Sequence, residues 1–74
     1  MIQSLEPVRE KLIELQKNGK LVHPSMKYGF EKGGVFLTIE FEIEKTRNYV
    51  CRSFTGKIMD GCVMQALSLL NEVK

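Results

Sequence analysis

The sequence predicts an α+β fold: a two-layer αβββα domain, with a three-stranded antiparallel meander and two helices packed on one face. Three observations predict it. Residues 35–43 read Val-Phe-Leu-Thr-Ile-Glu-Phe-Glu-Ile. Side chains of a strand switch faces at every residue. Val35, Leu37, Ile39, Phe41 and Ile43 therefore share a buried side, and Phe36, Thr38, Glu40 and Glu42 share an open one. A strand covered on both faces would be apolar at nearly every position. The segments at either end of the chain instead repeat their apolar residues at helical spacing.

The first helix spans about residues 5–18. Ser4 suits its N-cap, and Glu6 and Pro7 suit its first turn, where a carboxylate meets the positive dipole end and a missing N–H goes unnoticed. Leu5, Val8, Leu12 and Leu15 make one stripe, widened by Ile13. Asn18-Gly19 stops the helix, because Gly accepts the left-handed conformation found at helix ends. Lys20 to Ser25 reads as a connector, with Pro24 discouraging regular structure around His23. Met26, Tyr28 and Phe30 alternate with Lys27, Gly29 and Glu31 as a short first strand, and Lys32-Gly33-Gly34 is a hairpin loop.

The second strand runs to about Glu44, a turn covers residues 45–48, and a third strand covers about 49–54. Its phase is set by Arg52, which is expensive to bury without a partner. Tyr49, Cys51 and Ser53 are accordingly expected inside, and Val50, Arg52 and Phe54 outside, with Arg52 facing Glu40 or Glu42 across the sheet. Such a pair contributes about 0.2–1 kcal/mol. Met59, Cys62, Val63, Ala66, Leu69, Leu70 and Val73 form the stripe of a second helix, capped by Thr55 or by Asp60.

The whole chain, residues 1–74, reads as one domain, short enough that its core is marginal and a staple or oligomerisation would help it. An apolar fraction of 43% is too high for disorder, and 11 basic against 9 acidic residues is no strong field of either sign. No secretory leader pattern and no membrane-length apolar run is read, so the expectation is a soluble, cytoplasmic protein with reduced cysteines on apolar faces.

Catalytic chemistry finds no support. His23 is the single histidine and sits next to a proline, and Cys51 and Cys62 are expected where a thiolate is disfavoured. One His with two cysteines does not match a structural zinc site, and Lys32-Gly33-Gly34 lacks the rest of a phosphate loop. The expectation is a non-enzymatic protein with no metal and no cofactor.

The open side of the sheet carries the first functional expectation. Phe36, Val50 and Phe54, ringed by Thr38, Glu40, Glu42 and Arg52, would form a patch that binds another protein. The outer strands have unpaired edges, so a homodimer through that face or through an edge is a further expectation. Very short single-domain chains of this kind are frequent among phage and mobile-element proteins, including inhibitors of host-defence enzymes. By that analogy the chain is an accessory protein or inhibitor of a larger machine.

A second expectation comes from resemblance. Pro24 and Tyr28 lead into the first strand, Phe36 to Phe41 form an apolar second strand, and Thr55 to Leu70 leave a third strand for a helix. In this order, over about Leu5 to Val73, the chain resembles the double-stranded RNA-binding domain. That family implies RNA held by a lysine cluster at the start of the second helix and by a first-hairpin loop containing Gly-Pro and His. Here only Lys57 matches the cluster, Asp60 lies nearby, and the loop is Lys32-Gly33-Gly34. On this resemblance nucleic-acid contacts would come from Lys17, Lys20, Lys32 and Lys57.

Overall fold

In the computed structural model, which describes residues 5–73, the elements follow the predicted order: α1 (Glu6–Lys17), β1 (Leu21–Glu31), β2 (Gly34–Ile43), β3 (Tyr49–Gly56) and α2 (Met59–Leu70). The three strands form one antiparallel sheet in the order β1-β2-β3. Both helices lie on the same side of it. The core joins Val8, Leu12 and Leu15 of α1 and Cys62, Val63, Ala66 and Leu70 of α2 to Leu21, Leu37, Ile39 and Phe41 of the sheet. Removing each large apolar side chain from water contributes about 1.5–3 kcal/mol.

α1 ends as its sequence predicts. Gly19 has φ 73°, its N–H donates to the Gln16 carbonyl, and the Lys20 N–H donates to the Leu15 carbonyl at 2.9 Å. These two bonds are the Schellman arrangement, which satisfies the last carbonyls of the helix and turns the chain directly into β1. At the other end Leu5 occupies the N-cap position without a side-chain cap, and Pro7 sits in the first turn. The cap assigned to Ser4 lies outside the described residues.

Three expectations about the elements are corrected. The supposed connector from Lys20 to Ser25 is largely strand, because Leu21 pairs with Ile43 and Val22 with Glu42. A bulge between Val22 and Ser25 absorbs Pro24, with His23 at φ 55°. The bulge supplies the extra residue that lets pairing resume beyond a proline. Neither Thr55 nor Asp60 caps α2. Ile58 holds the N-cap position in extended conformation, without a side-chain bond.

The phase of β3 is the third correction. Leu37 faces Phe54, Ile39 faces Arg52 and Phe41 faces Val50. Residues directly opposite share a face, so Val50, Arg52 and Phe54 stand on the helix side. Val50 and Phe54 pack against the core, whereas Arg52 remains exposed. An edge strand reaches past the helices that cover the middle of the sheet, so a helix-side position there need not be buried. Tyr49, Cys51 and Ser53 are the residues on the open side.

Candidate functional site

The open face is built in rows across the strands. Glu42 stands between Val22 and Tyr49, Glu40 between Ser25 and Cys51, Thr38 between Lys27 and Ser53, and Phe36 between Gly29 and Thr55. Alternation in β2 therefore places Phe36, Thr38, Glu40 and Glu42 where the sequence puts them. Gly29 is a seat for the Phe36 ring: a Cβ there would lie 3.0 Å from Phe36 Cε2. The ring packs over that gap in the pleat and is half-buried as a result.

Polar side chains on this face bind one another. Tyr49 Oη donates to Glu40 Oε2 at 2.6 Å, and Cys51 Sγ donates to the same oxygen at 3.7 Å. Thr38 Oγ1 and Ser53 Oγ share a hydrogen bond at 2.8 Å. Arg47, at φ 61° in the β2–β3 turn, donates from Nε to Glu42 Oε1 at 3.1 Å. The Tyr49 hydroxyl holds the Glu40 carboxyl below its ordinary value, with burial opposing and Cys51 and Lys27 assisting. The same bond, with burial and Cys51, pushes the Tyr49 phenol well above a free tyrosine. Each shift is the other's counterpart, since the bond needs an ionised acceptor and a protonated donor.

The seven predicted patch residues thus divide. Phe36, Thr38, Glu40 and Glu42 lie together on the open face, and Val50, Arg52 and Phe54 lie on the other side of the sheet. The predicted pairing of Arg52 with Glu40 or Glu42 is corrected for the same reason. Tyr49, Cys51 and Ser53 were missed. Their signal was available in the higher apolarity of the Val50–Phe54 set, and the single charge of Arg52 outweighed it.

The two cysteines have opposite surroundings. Cys62 is buried, its thiol pushed up first by burial and then by Glu31. Cys51 is exposed on the open face, which corrects its predicted apolar placement. β2 lies between Cys51 and the β1 bulge that carries His23. Among the described residues no three metal-ligating side chains of His, Cys, Asp or Glu cluster.

The basic residues divide by position along the sheet. Lys32 lies in the β1–β2 turn and Lys57 just after Gly56, at one end, where Val35 pairs with both Phe30 and Gly56. Lys17 and Lys20 lie at the other end, where the Lys20 carbonyl accepts from the Glu44 N–H at 3.1 Å. The molecule's long axis is 37 Å. No helix among the described residues is long and apolar enough to cross a membrane. No family model, curated protein or solved structure matches this chain.

Proposed function

We propose that this protein is a non-enzymatic protein-binding module, an accessory protein or inhibitor of a larger machine, that docks through the open face of its sheet. One observation carries the reading: both helices cover the same side, and the uncovered side presents Tyr49, 64% exposed, in a network already bonded to itself. Fixing a mobile side chain on binding costs about 0.5–1.5 kcal/mol. Tyr49, Glu40, Thr38 and Ser53 are held before any partner arrives. Tyrosine also suits a binding surface because it combines a large apolar body with a polar tip. The charges of the face are mixed, Glu40 and Glu42 standing beside Lys27 and Arg47, which suits a polar rim around the tyrosine. Analogy of size and architecture alone extends the reading to phage and mobile-element inhibitors of host-defence enzymes.

The test uses wild-type protein and a Tyr49→Ala/Glu40→Lys variant as baits in native host extract, with retained proteins identified by mass spectrometry. A protein held by the wild type and lost by the variant supports the open face. Identical retained sets on both baits sink it.

The αβββα order and the placement of Lys32 and Lys57 at one end favour a second reading, a double-stranded RNA-binding-domain-like protein. Duplex RNA is gripped across successive grooves. Lys17 and Lys20 stand at the far end of the sheet, and Asp60 occupies the first turn of α2. Titration of an RNA duplex at two salt concentrations separates the readings. Submicromolar binding that falls steeply with salt supports RNA, because phosphate contacts release counterions.

A further inference from the structure

We infer that two copies of this chain join through the free edge of β1, in a two-fold register centred on Tyr28, and that Phe30 of each copy fills a pocket of the other. This surface is separate from the open face, so the inference stands or falls independently of the binding function proposed above.

The free backbone groups of β1 follow from the bonding of β2. The Ile43 N–H donates to the Asn48 carbonyl and the Glu44 N–H to the Lys20 carbonyl. Ile43 therefore points toward the β3 side and Glu44 toward the β1 side. Along an antiparallel strand this direction alternates, so Phe36, Thr38 and Glu40 also bond toward β1. Through the register, Gly29, Lys27 and Ser25 point inward, and Met26, Tyr28 and Phe30 point their N–H and C=O groups out of the sheet.

In that same row Met26 packs against the core, whereas the two larger side chains beyond it do not. Met26, Tyr28 and Phe30 stand opposite Ile39, Leu37 and Val35, on the helix side. Yet Tyr28 is 49% exposed and Phe30 is 89% exposed. α1 covers only the first part of β1, where Arg9, Leu12 and Ile13 face Pro24, Ser25 and Met26 across a pocket of about 240 Å³.

A second copy meets all of these features together. In an antiparallel pair centred on Tyr28, Met26 faces Phe30 of the other copy and Tyr28 faces its counterpart, so the outward hydrogen-bonding groups of these three residues find partners. Phe30 of one copy then lies beside Met26 of the other, at the pocket lined by Arg9, Leu12 and Ile13. The Arg9 guanidinium at that site suits an aromatic ring. On the open side Ser25 faces Glu31 and Lys27 faces Gly29, so no like charges stand directly opposite; each Lys27 is diagonal to a Glu31 and, across the axis, to the other Lys27. The two α1 helices fall on opposite halves of the joined sheet and do not compete for space. Pro24 and the Lys32-Gly33 turn bound the ladder at its two ends. The β3 edge has no comparable offer, because Val50 and Phe54 already pack on their own core.

Sedimentation equilibrium on the full chain tests association, and cross-linking tests the register. The wild type is expected to be a dimer. Phe30→Glu is expected to weaken association at least about tenfold while far-UV circular dichroism stays unchanged, since a buried aromatic anchor dominates such contacts. In a Cys51→Ser background, Tyr28→Cys is expected to form a dimer disulfide rapidly under mild oxidant and Lys27→Cys to form it slowly. Hydrogen-bonded pairs stand about 5.5 Å apart between Cα atoms, within the reach of a disulfide. A wild type that stays monomeric at millimolar concentration overturns the inference and leaves the edge to a strand from another protein. A dimer unaffected by Phe30→Glu, or one that cross-links faster at Lys27→Cys than at Tyr28→Cys, overturns it equally.

Discussion

At the scale of single residues, the pair Tyr49–Glu40 shows how one hydrogen bond controls two ionisations on an exposed surface. Glu40 is held below its ordinary pKa, so its stabilising contribution is present above the unfolded carboxylate value and is lost as pH falls through the lowered folded one. Tyr49 is raised, so its contribution is complete below the ordinary tyrosine value and is lost as pH climbs through the raised one. Tyr49→Phe is expected to move the Glu40 midpoint upward, toward an ordinary carboxylate. Carboxyl carbon NMR through an acid titration reads that midpoint directly, and an unmoved Glu40 would show that the phenol does not control it. Cys51 illustrates a limit of residue-level reading. A small apolar side chain in a strand is compatible with either face, and only the strand's phase decides whether its thiol meets water or the core.

At the scale of elements, two glycines are expected to respond in opposite directions to the same methyl group. A Cβ at Gly61 in the first turn of α2 meets nothing within 4 Å, so Gly61→Ala is expected to stabilise the protein by about 0.5–1 kcal/mol. A Cβ at Gly34 would run into the carbonyl oxygen of Gly56 on the neighbouring strand, so Gly34→Ala is expected to destabilise it by about 1–3 kcal/mol. Urea unfolding curves of both variants check the pair, and equal responses would contradict the close approach of β2 and β3 at that point. Which elements were legible follows from how strongly each pattern is enforced. α1 and β2 have one face buried along most of their length, so their periodicity is unambiguous, and the Asn18-Gly19 stop is local chemistry that needs no tertiary context. β1 and β3 are edges. Pro24 masks the first residues of β1 because a bulge can carry a proline through a strand, and bulges leave no simple spacing. In β3 the cost of burying Arg52 was applied to a position that the helices never cover. The open face was therefore half legible: the β2 contribution followed from alternation, whereas the β3 contribution depended on register.

At the scale of the whole molecule, one small core links every element. Phe41 is 1% exposed at its centre. Phe41→Ala is expected to cost about 3–5 kcal/mol. A chain of this length has a total stability of roughly 4–11 kcal/mol, so the substitution removes a large share of it. Thermal melting is expected to show a transition lowered by well over ten degrees or no cooperative transition at all, and a near-native melt would mean that the core is not a single cooperative unit. The two-layer αβββα architecture itself was legible, because it needs only the order of elements and the one-sided burial of β2.

Strands that are neighbours in space are also neighbours in the sequence, and α1 leads straight into the strand it covers. During synthesis each strand would meet its mate as soon as both have emerged, with the packing of α2 on α1 and β2 waiting for the far end. Such a meander closes by short loops throughout, which favours rapid folding and leaves little time for an unmated strand to find the wrong chain.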